Sequence, residues 1–218
     1  AAAARLAARR WPGPHTFVFR SAADIPFLTT PAGTIGLRSP DHPFLRELLA
    51  RVDILASTSA NPSGAPAPAS AAEIAPSVRE AVDLVVDGGR TGGTESSVWD
   101  LSRGAPRLIR GSVLFVCEGN SCRSPMAEFL LRAALGGGRV RVSSAGMSVL
   151  FPGPISPEAG RVLVEDGIVP GPFASRRIDR GMLDAADLVF VMEQSQKDRI
   201  AALFPGAGEK VAVLGIPD

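Results

Sequence analysis

The cysteines of this chain stand in one short segment, VCEGNSCRSP. The sequence of 218 residues contains two cysteines, Cys117 and Cys122, and Arg123 follows the second one directly. A thiolate is a nucleophile, and a guanidinium offers a planar fork of donors that fits two oxygens of a phosphate group. Ser124 comes next and can hydrogen-bond the thiolate of Cys117. The segment therefore indicates thiolate attack on phosphorus.

This chemistry needs a loop whose backbone N–H groups converge on an anion, and the surrounding sequence predicts one. Cys117 ends the apolar run VLFVC, which is typical of a buried strand, and Ser124 and Pro125 open a helical segment. Parallel α/β sheets bind ligands where strands end and helices begin. Gly119 and Asn120 tolerate the positive φ angles that such a loop requires.

Two other interpretations of these residues stay open at this point. Cys117 can simply fill the end of a core strand, because a bare Cys-x5-Arg pattern is weak on its own. A metal site would need more ligands than two cysteines, and both histidines, His15 and His42, lie far away in the first half of the chain. We therefore expect no metal. The order of strand, loop and helix favours a phosphate-handling site.

The elements that position this loop alternate regularly after Ser112. VLFVC, RVRVSSAG, DLVFVM and KVAVLG predict strands, and SPMAEFLLRAAL, SPEAGRVLVEDG and SQKDRIAALF predict helices. This order predicts an α/β domain with a parallel four-stranded sheet and helices on both faces. We accordingly expect two domains, residues 1–111 and residues 112–218.

Residues 1–111 predict short strands, one or two helices and many turns. Six β-rich runs are bounded by turn-forming residues: TFVFR, TIGLR, DILAST, DLVVD, SSVWDL and PRLIR. The opening AAAARLAARR reads as part of an amphipathic helix, and DHPFLRELLARV predicts a helix with Asp41 as its N-cap. In STSANPSG, Ser59 and Asn61 lie on the same side of an extended segment. There they can bind phosphate or ribose, or satisfy their own backbone.

Composition argues against several kinds of partner. Lys and Arg number 23 against 22 Asp and Glu, so the net charge of +1 provides no electrostatic footprint for nucleic acid or for an anionic membrane. No apolar run reaches the roughly 18 residues of a transmembrane helix. Two cysteines make no disulfide framework, and we expect a reducing, cytoplasmic location.

The segment VCEGNSCRSPMAE resembles the phosphate loop of the low-molecular-weight protein tyrosine phosphatases, and the resemblance continues through VSSAG, SPEA and ADLVFVME. It implies that Cys117 is the nucleophile, which forms a phosphocysteine, and that Arg123 binds phosphate and the transition state. Cys122 could then form a protective disulfide with oxidised Cys117. The implied substrate is a phosphorylated protein, and no cofactor is implied. The implied phosphate-binding loop comprises Glu118, Gly119, Asn120, Ser121, Cys122 and Ser124, of which Asn120 shapes the loop and Ser124 tunes the thiolate.

The resemblance leaves the general acid and the substrate open. The family's acid is an aspartate in an Asp-Pro pair after the last strand, whereas this sequence stops at Asp218. Asp218 is one candidate, although we favour an aspartate beyond residue 218. Related enzymes reduce arsenate or dephosphorylate arginine. The first activity needs cysteines after Cys122, and there are none. The small polar Ser121 keeps a protein arginine phosphatase as an alternative.

Five segments of the first half, taken in order, resemble the threonylcarbamoyl-AMP synthases of tRNA modification: WPGPHTF, TIGLRSPDHP, STSANPSG, DGGRTGGTESSVWDL and RLIRG. The resemblance implies a partial, twisted mixed sheet with helices, and ATP, L-threonine and bicarbonate as substrates. It implies nucleotide contacts for Thr34, Asn61 and Arg110, and threonine contacts for Arg38, Ser59 and Ser96.

The family's amino-terminal half, with its Lys-x-Arg motif, has no counterpart here, and Ala69 stands where the family tends to place a hydroxyl residue. We therefore expect an interior fragment of a bifunctional protein. The expected activity is hydrolysis of phosphomonoesters on protein side chains. Threonylcarbamoyl-AMP synthesis as the principal activity, and a non-catalytic module that captures phosphorylated partners, are the competing hypotheses.

Overall fold

The structure, a computed structural model, describes residues 2–62, 64–91 and 95–215. The chain divides into two compact units, Ala1–Arg107 and Leu108–Asp218. This division falls four residues before the boundary predicted after residue 111. Both units combine a sheet with helices, so the predicted α/β class is confirmed.

The first unit is built on a mixed sheet. Strand β1 (His15–Arg20) pairs antiparallel with β2 (Thr34–Leu37) and parallel with β3 (Ser97–Asp100). Phe17 and Phe19 of β1 point to the same face of the sheet, because side chains alternate along a strand. Phe17 is fully buried, and its ring meets the ring of Trp11 edge-on at a centroid distance of 5.1 Å.

Three α-helices accompany this sheet in the described part of the unit: α1 (Ala2–Arg10), α2 (Pro43–Val52) and α3 (Pro76–Arg79). The prediction of Asp41 as the N-cap of α2 is wrong, because His42 occupies that position with extended backbone angles. Pro43 is the cause, since a proline disfavours helical angles in the residue before it and itself suits the first helical position.

Two predicted strands of the first unit are also wrong. Neither DILAST nor DLVVD forms a strand, and side chains of both runs, such as Ile54 and Leu84, are exposed. The backbone of Asp53 has a φ of 63°, which ends α2 and redirects the chain at the start of the first run. Apolar β-branched residues form a strand only where another strand pairs with them, and no described strand pairs with these two runs.

The sheet of the second unit is parallel. Its central strand β4 (Arg107–Cys117) pairs with β5 (Val140–Gly146) on one side and with β6 (Leu188–Val191) on the other. Strand β7 (Val211–Val213) extends the sheet beyond β6. PRLIR, predicted as a separate strand, forms the beginning of β4.

Alternate residues of β4 face two separate cores. Leu114 and Val116 belong to one buried cluster with Leu183 and Ile200. Val113 and Phe115 belong to a second cluster, against which residues of the helix after β4 pack. A continuous apolar run, whose successive side chains point to opposite faces of the sheet, is typical of a strand covered on both faces.

Four α-helices accompany this sheet in the part of the unit that the structure describes: α4 (Arg123–Leu135), α5 (Pro157–Glu165), α6 (Arg180–Ala185) and α7 (Gln194–Leu203). Helix α6, of six residues, is not among the predicted helices. Its signal was Asp179, whose carboxylate accepts the N–H of Met182 at 2.7 Å as an N-cap. Across the described ranges of both units, no helix is long and apolar enough to cross a membrane.

Candidate functional site

The two cysteines lie at the carboxyl end of β4. Cys117 is the last residue of the strand and is buried, whereas Cys122 is exposed and occupies the N-cap position of α4. Both thiols are free. Arg123 begins α4, so the residues between 117 and 123 form the loop that joins the strand end to the helix N-terminus. This is the position where an anion meets backbone N–H groups and the positive end of a helix dipole.

The hydroxyl of Ser124 contacts the predicted nucleophile. Its Oγ donates to Sγ of Cys117 at 3.0 Å and also lies 3.2 Å from the carbonyl oxygen of Ala145. Ser124 is fully buried, so no bulk water competes for this hydrogen bond. A hydroxyl in this place stabilises negative charge on sulfur.

Asn120 holds the loop from inside. Asn120 is fully buried, and its φ of 50° lies in the left-handed region. Both polar atoms of its side chain form hydrogen bonds. Its Nδ2 donates to Oγ of Ser124 at 3.0 Å and to Oγ of Ser144 at 2.9 Å, while its Oδ1 accepts the N–H of Arg176 at 2.9 Å. Of the two residues predicted to supply positive φ, Asn120 does so and Gly119 does not.

The hydrogen-bond chain continues to a buried carboxylate that sequence reasoning missed. Oγ of Ser144 donates to Oε2 of Glu128 at 2.5 Å, and Glu128 forms an ion pair with Arg132 at 2.7 Å. Glu128 lies one helical turn after Ser124 on α4, and that spacing, together with an acidic residue inside an apolar helix, was its signal in the sequence. Three buried polar side chains thus connect Glu128 to Cys117, namely those of Ser144, Asn120 and Ser124.

Gly146, at the end of β5, is a further residue that supports the loop. A Cβ built there would lie 2.7 Å from the carbonyl oxygen of Glu118 and 2.9 Å from the backbone nitrogen of Asn120. Both distances are shorter than side chains tolerate, so the loop can approach β5 closely only because residue 146 has no side chain.

Two ion pairs join the rim of the loop to α7. Arg123 pairs with Glu193, the N-cap residue of α7, and Glu118 pairs with Arg199 at 2.8 Å. A hydrogen bond from Ser148 and the nearby Arg199 hold the pKa of Glu118 below its usual value. The hydrogen bond with Glu193 raises the pKa of Arg123.

The remaining predicted loop residues lie on its outer side. The carbonyl oxygen of Ser121 accepts the N–H of Ser156, which precedes α5, at 2.7 Å. Gly119 is exposed. The predicted acid Asp218 lies outside the described residues, so its role stays a prediction.

In the first unit, Ser96 and Arg38, which are predicted to hold threonine, lie near Thr16 of β1. Ser96 precedes β3, and its Oγ lies 3.0 Å from Oγ1 of Thr16. Arg38 follows Leu37, the partner of Phe17 in the antiparallel pair, so it lies beside Thr16 from the other side. Two of the three residues predicted to hold threonine, Arg38 and Ser96, thus approach the same end of β1.

Its other candidates lie elsewhere in the fold. Thr34 pairs with Arg20 at the opposite end of β1, and its Oγ1 lies 2.7 Å from Oγ1 of Thr30. Ser59 is exposed in an irregular segment. Nδ2 of Asn61 donates to the carbonyl oxygen of Ala65 at 2.6 Å.

Asn61 and Arg110, two of the residues predicted to contact the nucleotide, differ in their surroundings. Oδ1 of Asn61 is buried and has no hydrogen-bond partner within the described ranges. Arg110 lies on β4, in the second unit.

Two family models match the chain and meet at residue 112. The Sua5/YciO/YrdC model, described as telomere recombination, matches residues 1–112. The low molecular weight phosphotyrosine protein phosphatase model matches residues 112–216. The resemblance of the chain to a synthase-type domain followed by a phosphatase-type domain is confirmed.

Curated relatives fall into the same two groups. A probable low molecular weight protein-tyrosine-phosphatase, EpsP, from Ralstonia solanacearum is 40% identical over 48% of this chain and 70% of that protein. A protein-arginine-phosphatase from Bacillus subtilis is 38% identical over 47% of this chain and 69% of that protein. A threonylcarbamoyl-AMP synthase from Pyrococcus abyssi is 37% identical over 48% of this chain, and the match spans 32% of the synthase.

Proposed function

Because the chain belongs to the Sua5/YciO/YrdC family over residues 1–112 and to the low-molecular-weight phosphotyrosine protein phosphatase family over residues 112–216, we propose that its second half hydrolyses phosphomonoesters on protein side chains. The observation that carries this proposal is the hydrogen bond from Ser124 to Sγ of Cys117, 3.0 Å long, at the end of a buried strand. The substrate is a phosphorylated protein.

The first chemical step transfers the phosphoryl group to sulfur. The Cys117 thiolate attacks phosphorus, an S–P bond forms and the P–O ester bond breaks. The electron pair leaves with the ester oxygen, which takes a proton from an aspartic acid. Arg123 and the loop N–H groups stabilise the equatorial oxygens. We propose Asp218 or a later aspartate as the acid.

The second step releases inorganic phosphate. Water attacks phosphorus and gives a proton to the same aspartate, a new P–O bond forms, and the S–P bond breaks. Sulfur leaves as a thiolate, and Ser124 stabilises this charge through its hydrogen bond. Asn120 holds Ser124 in place through Nδ2.

Hydrolysis of a small aryl phosphate in the presence of a chelator tests this proposal. We expect turnover in the wild-type chain and none above the uncatalysed rate in Cys117→Ser. Rapid acid quenching should trap a phosphate adduct on the peptide that contains Cys117. Cys122→Ser is the matched control, because it removes the neighbouring thiol and should still form the adduct. Turnover that survives in Cys117→Ser would contradict the mechanism.

The first half suggests a second function. We propose that residues 1–112 bind ATP and L-threonine as part of threonylcarbamoyl-AMP synthesis with bicarbonate, a reaction that serves tRNA modification. Support comes from Arg38 and Ser96, which approach one end of β1, and from Oδ1 of Asn61, a buried acceptor to which a nucleotide can donate. Thr34, Ser59 and Arg110 are the further proposed contacts.

Calorimetric titration of ATP into the chain tests this second function. Asn61→Ala should weaken ATP binding, because it removes the unpartnered acceptor. Ser57→Ala, whose hydroxyl only contacts the neighbouring carbonyl of Thr58, serves as the control. Equal affinities of the two variants would remove Asn61 from the proposed site. Formation of threonylcarbamoyl-AMP from ATP, threonine and bicarbonate would establish the complete reaction.

A further inference from the structure

The rim of the phosphate loop carries as many negative as positive side chains. Glu118 and Arg123 extend from the loop, and Arg199 and Glu193 meet them from α7. We call these four residues the rim quartet. The side chain of Glu118 is 47% exposed and that of Glu193 is 51% exposed, so solvent reaches both carboxylates.

Glu118 directly follows the proposed nucleophile and is held in one place. Its Oε2 accepts from Nη1 of Arg199 at 2.8 Å, and Nη2 of Arg199 lies 3.3 Å from Oγ of Ser148, which also hydrogen-bonds the carboxylate. A carboxylate offers about four lone-pair sites. These two partners therefore leave acceptor capacity on the exposed side of Glu118.

Phosphate binding gives this rim an excess of negative charge. The four side chains of the quartet sum to zero, and a phosphomonoester adds a charge of about −1.5 to −2 at neutral pH. Arg123, which must bind that phosphate, is already shared with Glu193. A substrate that brings its own cation offsets the excess negative charge, whereas an acidic substrate increases it. Charges within about 10 Å of each other are incompletely screened at 0.1 M salt.

We propose that Glu118 is a specificity-determining residue that makes this loop prefer phosphorylated side chains with a cationic group beside the phosphate. The inference rests on the proposed phosphatase function and adds a substrate class to it. Two sources supply such a cation. One is the guanidinium of a phosphorylated arginine, and the other is a lysine or arginine next to a phosphotyrosine.

Binding of matched phosphopeptides to the full chain carrying Cys117→Ser tests the proposal. The probes are phosphotyrosine peptides with acidic, neutral or basic neighbours, and a phosphoarginine peptide with neutral neighbours. We expect basic neighbours to improve affinity over acidic ones by about two- to five-fold, the range for exposed charge pairs. When Glu118→Gln is added to the Cys117→Ser chain, the ratio of affinities for basic and acidic peptides should fall close to one.

A second variant separates a charge effect from a distorted loop. Arg199→Gln removes the cation that pairs with Glu118. It should therefore increase the ratio of affinities for basic and acidic peptides, whereas Glu118→Gln should decrease it. A loop that is merely distorted would weaken all peptides together and leave the ratio unchanged. Asp184→Asn is the matched control, because Asp184 is a half-exposed carboxylate paired with Arg180 on α6 and its removal should not change the ratio.

Each outcome decides a different claim. An equal ratio with and without Glu118 overturns the inference. A ratio that depends on Glu118, while the wild-type chain with Cys117 intact does not hydrolyse the same peptides, supports the inference and contradicts the proposed phosphatase activity. Absence of all peptide binding overturns both. A gain confined to the phosphoarginine peptide identifies its guanidinium as the cation, and a gain confined to basic phosphotyrosine peptides identifies the neighbouring residue.

Discussion

At the scale of single residues, the site depends on buried polar groups that satisfy one another. From Glu128 through Ser144, Asn120 and Ser124 to Cys117, the hydrogen bonds lie between 2.5 and 3.0 Å, and all five residues are buried. In such surroundings a missing partner is costly, because water cannot replace it. The same network that stabilises the loop therefore positions the hydroxyl that contacts sulfur.

Replacement of Ser124 by alanine should separate catalysis from binding. We expect kcat to fall by about 10- to 100-fold with a small change in KM, because a hydrogen bond to a charged group contributes roughly 1.5–3 kcal/mol. Steady-state hydrolysis of an aryl phosphate measures both constants. Ser195→Ala, an exposed serine on α7, is the control. An unchanged kcat in Ser124→Ala would show that the hydroxyl does not act on sulfur.

Addition of one methyl group at Gly146 should disturb the loop. Gly146→Ala places a carbon within 3 Å of two backbone atoms, and we expect a loss of stability of about 1–3 kcal/mol. Urea unfolding followed by circular dichroism measures the change. Gly153→Ala is the matched control, since its new carbon would meet only Oγ of Ser175 at 3.9 Å. Equal midpoints for the two variants would contradict the close approach.

At the scale of elements, turns and caps decide where strands and helices end. Asp100 closes β3 because its carboxylate accepts from the backbone N–H of Ser102 at 3.0 Å and from the Ser102 hydroxyl at 2.6 Å. Arg107, at the start of β4, lies 3.5 Å from the same carboxylate. The hydrogen bonds from Ser102 hold the pKa of Asp100 below its ordinary value of 3.8.

This lowered pKa predicts how the first unit responds to acid. A carboxyl group with a depressed pKa contributes stability in full above the pKa of the unfolded chain, and that contribution is lost as the pH falls through the folded pKa. The urea midpoint should therefore decline below about pH 4, and less steeply in Asp100→Asn. Tryptophan fluorescence reports this unit, because Trp11 and Trp99 are the tryptophans of the chain. Asp83→Asn, at an exposed aspartate of the same unit, should keep the wild-type slope.

At the scale of the whole molecule, two families share one chain. The proposed nucleophile, its loop and the rim quartet lie in the second unit. Five of the six proposed synthase contacts lie in the first unit, with Arg110 as the exception. The two proposed functions therefore draw on largely separate sets of residues. No residue belongs to both sets.

This separation predicts that the two activities can be removed one at a time. Cys117→Ser should abolish hydrolysis of an aryl phosphate and leave ATP affinity within the experimental error of calorimetry. Asn61→Ala should weaken ATP binding and preserve kcat for the phosphate ester. Loss of both activities in either variant would indicate that the two functions depend on one another.

The sequence alone determined the class of the fold and predicted the core of the proposed chemistry. Alternation of apolar runs predicted β4 to β7 and the helices α4, α5 and α7, because periodicity is a local property of the chain. Cys117, Arg123 and Ser124 are predicted site residues because their spacing places a thiol, a guanidinium and a hydroxyl in one loop. Both family resemblances rested on contiguous motifs of this kind, and the family models confirm them.

Only the tertiary structure decided which residues support that loop. Glu128, Ser144 and Gly146 become part of the site through contacts between residues distant in sequence, and no local pattern encodes such contacts. DILAST and DLVVD have the composition of strands, yet neither forms one, since a strand exists only when another strand pairs with it. The ion pairs of Glu118 and Arg123 with α7 likewise required the folded chain, because these partners are separated by 81 and 70 residues.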